Sequence, residues 1–159
     1  MHTRCPTSQY LGIARLDSYR WMINTRGYAN IVQVTASSSA SSEPSYSNVV
    51  YGLVYSLQPS DEQGLDFNEG VPFAYTKENL TVSFWAKEEE NKAIDMHKPC
   101  TKQDMLVYIN RHDTTDDEPK QEYIYRMNMG IEDAVKQGVP EDYVEEVMRK
   151  FIPRNYIEL

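Results

Sequence analysis

Along the first two-thirds of this chain, apolar and polar residues change places at the strand period. "LTVSFW" (80–85) puts Leu80, Val82 and Phe84 on one side and Thr81, Ser83 and Trp85 on the other, the alternation of a strand with two distinct faces. "IARLDSYRWMIN" (13–24) is rich in aromatic and β-prone residues and predicts one strand, bent near Asp17 and Ser18. Further strands are expected over 30–35, 48–57 and 105–110, with Gly52 marking a place in the third of these five where a side chain is unwelcome.

The period changes near the C-terminus. From Tyr123 to Gly138, residues Ile124, Met127, Ile131 and Val135 fall on one helical stripe, and Gly138 is the expected stop. A second helix is predicted over 140–151. It opens on Pro140, carries acids in its first turn and ends on Arg149 and Lys150, as the helix dipole favours. A short helix over 59–66 is also expected, with Ser60 as N-cap, Pro59 just outside and Gln63 at the capping-box distance. The small polar run 35–47 predicts a flexible loop, 86–104 a charged excursion and 111–121 an exposed acidic loop. Strands come first, helices last, and no βαβ alternation appears. The expected fold is therefore α+β: one domain over 1–159, with a mainly antiparallel sheet or small barrel flanked by helices.

Composition narrows the partners. The net charge is −8, from 24 acids against 16 bases, with no basic cluster, so nucleic acid is not an expected partner. No apolar run reaches the eighteen or so residues of a membrane span, and "MHTRCPTSQY" lacks the apolar core of a signal peptide. A cytoplasmic location is expected, with Cys5 and Cys100 as free thiols. Twelve tyrosines against four Phe and two Trp suit either half-buried strands or a polar-lined pocket.

Chemistry-bearing patterns are few. His97 and Cys100 stand three apart in "MHKPC", but no second pair has ligand spacing, and no metal site is expected. No serine sits in a Gly-x-Ser-x-Gly turn. Carboxylates and tyrosines remain. In "LDFNEGVP" (65–72), Glu69 follows the short helix, precedes Gly70 and lies three residues after Asp66. It is either a solvated turn acid or a partly desolvated carboxylate able to exchange protons near neutral pH.

Longer stretches of the text carry a resemblance. "ARLDSYRWMIN", "GYANIV", "VVYGLVYSLQPSDEQGLDFNEGVPFAY" and "YIYRMNMGIEDAVKQGVPEDYVEEVM" occur in this order through almost all of the chain. Together they resemble the γ-glutamylcyclotransferase-like family, which includes the plant AIG2-like proteins. The resemblance implies a small mixed barrel with flanking helices. It also implies release of 5-oxoproline from a γ-glutamyl compound, with no metal or cofactor. The family's acid/base is the Glu of "EGV", which maps onto Glu69, beside Gly70. Family tyrosines that help bind the glutamyl part map onto Tyr75, Tyr108 and Tyr123. The leaving-group side of the pocket is expected near the excursion 86–103. One departure stands out: the family's first strand and Tyr-Gly-Ser-Asn loop have no counterpart in this sequence, and "MHTRCP" is similar to the region downstream of them. The alternative this raises is a shortened, catalytically impaired member that binds a ligand or a protein. The identity of the γ-glutamyl substrate and the oligomeric state are not readable from the residues.

Overall fold

The structure is a computed structural model and describes residues 8–34, 46–68 and 75–154. The expected loop 35–47 thus falls mostly outside the described residues. The described residues form six strands: β1 (Tyr10–Asp17), β2 (Tyr19–Ile23), β3 (Ala29–Gln33), β4 (Val49–Tyr55), β5 (Thr76–Ala86) and β6 (Thr101–Ile109). Three α-helices among the described residues accompany them: α1 (Pro59–Asn68), α2 (Gln121–Gln137) and α3 (Glu141–Glu146). The chain is α+β. Four strands form one sheet in the order β4-β1-β5-β6, β2 and β3 form a second, and every described pairing is antiparallel.

The predicted bend is where one sheet hands over to the other. Ser18 has φ 69°, a conformation uncommon outside glycine. Its N–H donates to Asn48 O and its C=O accepts from Val34 N–H, both at 2.9 Å. The strand therefore leaves its pairing with β4 and enters its pairing with β3 without an unsatisfied peptide group.

On the far side, side chains rather than a backbone ladder join the two sheets. Asn30 of β3 is 3% exposed. Its Oδ1 accepts from Asn110 N–H at 2.9 Å, and its Nδ2 donates to Asn110 O at 2.7 Å and to Asp113 O at 3.1 Å. Arg111 reinforces this seam. It forks onto Glu78 of β5 at 2.6 and 2.8 Å and also reaches Gln33 Oε1 and the Tyr19 hydroxyl, each at 3.0 Å.

The core lies between the sheets and the C-terminal helices. Ile13, Leu16, Trp21, Ile23, Ile31, Val82 and Ile109 from the strands meet Ile131, Val139, Tyr143, Val144 and Ile152. The stripe Ile124, Met127, Ile131 and Val135 of α2 packs on this core as its spacing predicts. Tyr46, Tyr51 and Tyr143 pack edge-to-face with centroids 5.0–6.2 Å apart, so part of the tyrosine excess serves packing.

The bounds of four elements differ from expectation. α1 begins at Pro59, not after it, because proline suits the first helical position. The reach-back to the cap comes from Asp61, whose Oδ2 accepts from Gln58 N–H at 3.2 Å, two residues upstream of the expected box. β5 and β6 are each longer than their apolar runs. Thr76–Asn79 and Thr101–Asp104 are held by ladder pairing and by polar cross-strand contacts such as Thr81 Oγ1 to Asp104 Oδ1 at 2.6 Å. The two faces expected of 80–85 are also both covered at one end, since Val82, Ser83 and Trp85 are all buried. α3 stops at Glu146 and a 3₁₀ turn at Met148–Lys150 follows, bringing Val147 and Ile152 into the core.

Candidate active site

Two clusters of polar side chains hold the two ends of the segment that carries Glu69 and Gly70. Residues 69–74 themselves lie outside the described residues.

The first cluster begins with helix periodicity. Glu62 and Asp66 are four apart on α1 and share a face. Strand register supplies the other half: Lys77 of β5 pairs directly with Tyr108 of β6, so both side chains stand on one face of the ladder. Lys77 Nζ lies 2.5 Å from Glu62 Oε2 and 2.9 Å from Asp66 Oδ2. The Tyr108 hydroxyl donates to Asp66 Oδ1 at 2.7 Å. Both oxygens of Asp66 are thus occupied. The hydrogen bond from Lys77, joined by that from Tyr108, holds the Asp66 carboxyl below its ordinary range. Hydrogen bonds to Glu62 and Asp66 in turn raise Lys77 above its own. Asp66 and Lys77 therefore stay charged at neutral pH.

The second cluster is buried. Tyr75 is the residue before β5 and is 5% exposed. Its hydroxyl donates to Ala29 O at 2.8 Å and accepts from Asn24 Nδ2 at 3.3 Å. Asn24, wholly buried, also accepts the Arg26 and Tyr28 N–H groups at 3.1 and 3.4 Å, shaping the turn between β2 and β3. Tyr123 comes to the same place from α2. Its hydroxyl accepts the Ala29 N–H at 3.4 Å, and its ring meets that of Tyr28 at 5.0 Å. Tyr123 lies in the first turn of α2. Arg126 stands 5.2 Å from its ring centroid.

The structure therefore brings Tyr75 and Tyr123 together at Ala29 and places Tyr108 with Asp66. Sequence analysis missed Lys77, Asn24 and Asp66 as partners. The acid at 66 was visible in "LDFNEG", but its partner is identifiable only from the β5–β6 register.

The excursion at 86–103 is elsewhere. Its cavity, lined in part by Phe84, Trp85, Ile94 and Pro99, sits where Phe84 pairs with Thr101, seven residues along β5 from the Lys77–Tyr108 pair. At the strand rise that is about 23 Å. The length of β5 and β6 carries the excursion away from Tyr108. Its anchors are the Trp85 Nε1–H donated to Lys98 O at 2.8 Å and the Ile94 N–H donated to Gln137 O at 2.7 Å. Among the described residues, no group of three or more His, Cys, Asp or Glu is placed to hold a metal ion, and no helix is long and apolar enough to cross a membrane.

The fold has solved counterparts. It is similar to uncharacterized protein loc79017 from Homo sapiens, with 19% identity over 99% of this chain and 83% of that chain and a TM-score of 0.66. It is equally similar to a γ-glutamyl cyclotransferase, with 20% identity, the same coverage and a TM-score of 0.66. At these identities the likeness is one of fold. No protein of curated function matches the chain significantly. The sequence pattern of the AIG2-like family matches residues 49–147, which run from the start of β4 to the residue after α3 and make up more than half of the chain; the chain belongs to the AIG2-like family.

Proposed function

We propose that this chain, folded as a single domain over 1–159, is a γ-glutamylcyclotransferase. The reading is supported by membership of the AIG2-like family and by a fold shared with a γ-glutamyl cyclotransferase. The observation that carries it is the anchoring of the Glu69 segment at both ends, by Asp66 on Lys77 and Tyr108 and by Tyr75 on Ala29 and Asn24. Catalytic groups need such support, because small displacements cost large factors in rate.

In the proposed reaction the substrate's α-amine attacks its own γ-carbonyl carbon. The amine is a nucleophile only when deprotonated, so Glu69 first takes a proton from it. The new C–N bond closes a five-membered lactam. The original bond from the γ-carbon to the leaving nitrogen then breaks; Glu69 returns its proton to that nitrogen, and the second proton that the attacking nitrogen sheds on becoming the lactam N–H follows it, so the amine departs protonated. The products are 5-oxoproline and a free amine or amino acid. The carboxylate ends as it began, and no water or cofactor enters the balance. Gly70, Tyr75, Tyr108 and Tyr123 are assigned to the glutamyl side of the pocket. The substrate class is a small γ-glutamyl compound: glutathione, a γ-glutamyl amino acid or a γ-glutamylamine. We place the reaction in the cytoplasm, where the exposed free thiol of Cys100 would stay reduced.

A second reading, a ligand-binding member without turnover, draws on the hydroxyls of Tyr75 and Tyr108, which already have protein partners. The experiment that separates the two is 5-oxoproline release by the full chain from a panel of γ-glutamyl compounds, beside calorimetric binding of the same compounds. Release above the uncatalysed rate supports the enzyme. Binding with no release from any compound supports the second reading.

A further inference from the structure

We propose that Asp66, clamped by Lys77 and Tyr108, is a positioning residue that fixes the end of α1 from which the chain proceeds to Glu69. The inference rests on the reading of Glu69 as acid/base and adds to it the residues that hold the base in place.

α1 needs such a clamp. Among its described side chains the single buried apolar one is Leu65, and Phe67 is 87% exposed. Gly64 lies in its interior, where glycine weakens a helix. Its last turn carries no basic residue but does contain Asp66. An acid at a helix C-terminus opposes the helix dipole. Left alone, that turn would fray. Lys77 reverses the sign of the local interaction from outside the helix, and Tyr108 takes the remaining oxygen. Hydrogen bonds to an ionised acceptor are the stronger kind, and two partners on two oxygens fix the carboxylate plane as well as its place. Lys77 and Tyr108 are themselves a register pair on the longest described ladder, so the end of α1 is referenced to the β5–β6 ladder.

The same geometry argues against Asp66 as the proton carrier. With both oxygens engaged and its carboxyl held below the ordinary range by Lys77, it is a poor base near neutral pH. The two acids of "LDFNEG" then divide the work: Asp66 stays ionised and holds, and Glu69 exchanges protons.

The test compares Asp66→Asn, Lys77→Met and Lys77→Arg, with Glu69→Gln as a separate control. Two readouts are taken: kcat and KM for 5-oxoproline release, and hydrogen exchange of the backbone amides at 65–68. Asp66→Asn and Lys77→Met are expected to lower kcat by about tenfold or more, with KM within about threefold. Exchange at 65–68 should quicken in both. Lys77→Arg keeps a cation for both carboxylates and should restore kcat and amide protection. A kcat for Asp66→Asn within about threefold of wild type, in a protein that Glu69→Gln inactivates, would overturn the inference and leave the cyclotransferase reading standing. Unchanged exchange at 65–68 in both Asp66→Asn and Lys77→Met would overturn it whether or not the protein turns over. Full activity of Glu69→Gln would instead remove the cyclotransferase reading, and the exchange result would still decide whether the clamp holds α1.

Discussion

The Tyr75 hydroxyl donates to the Ala29 carbonyl over 2.8 Å, inside the protein. The peptide N–H of the same residue, Ala29, donates to Tyr123. One residue of β3 thus receives a strand-leading tyrosine and a helix-leading tyrosine on its two polar groups. Tyr75→Phe should leave Ala29 O and Asn24 Nδ2 short of a partner in a buried setting, at a cost of about 1–3 kcal/mol. Tyr123→Phe removes a longer, half-buried bond and should cost less, about 0.5–1 kcal/mol. Denaturant unfolding of the two variants checks the order. Wild-type stability in Tyr75→Phe, together with a raised KM, would show that its hydroxyl serves the substrate instead.

The Asp66 clamp carries a pH signature. The folded carboxyl is depressed by the hydrogen bond from Lys77, then by that from Tyr108. Its contribution to stability is complete above the unfolded carboxyl value of about 3.9 and is lost as pH falls through the lower folded value. The stability difference between wild type and Asp66→Asn should therefore be constant from neutral pH down to about pH 5 and shrink below about pH 4. Urea unfolding across this range measures it. A difference that grew on acidification would mean that Asp66 is not held ionised.

Gly138 joins α2 to the excursion. Its φ is 123°, and a Cβ there would stand 2.5 Å from the Ile94 carbonyl oxygen. Its N–H caps α2 by donating to Ala134 O and Val135 O. Gly138→Ala meets both backbone strain and a clash with backbone, and should lose about 1–3 kcal/mol. Proteolysis within 87–100 should quicken as the Ile94–Gln137 bond is disturbed. Unchanged thermal unfolding would contradict the tight approach.

The seam at Asn30 can be tested with a near-isosteric change. Asn30→Asp keeps the acceptor for Asn110 N–H but turns the donor to Asn110 O and Asp113 O into a second acceptor. Buried oxygens would then face one another, and a loss of about 2–4 kcal/mol is expected at neutral pH. Protonating the introduced carboxyl restores a donor, so the loss should narrow as pH falls. A pH-independent loss would argue against the two-way bond.

The parts of this architecture that follow a period were legible in the sequence. Ile124, Met127, Ile131 and Val135 pack as spaced, and the bend expected near Asp17 and Ser18 is where the two sheets exchange a strand. Contacts that depend on register were not legible. Thr76–Asn79 and Thr101–Asp104 show no apolar alternation, since they are held by pairing rather than burial. The start of α1 was misplaced by two residues because Pro59 belongs to the first turn and Asp61, not Gln63, reaches back. Lys77 gave no signal at all. A lysine in a strand meets two helical acids only once β5 and β6 are paired and α1 is laid beside them. Glu69 and Gly70 were singled out by the resemblance of "LDFNEGV", and the structure contributes the anchors on either side of them.

The most direct measurement is 5-oxoproline release by Glu69→Gln beside wild type, on whichever γ-glutamyl compound wild type turns over fastest, with thermal unfolding recorded for both. The amide keeps the shape of the side chain and cannot carry the proton from the attacking amine to the leaving nitrogen. The account predicts a fall in kcat of about 10²- to 10⁴-fold with the unfolding midpoint preserved. Turnover by Glu69→Gln within about threefold of wild type would contradict it.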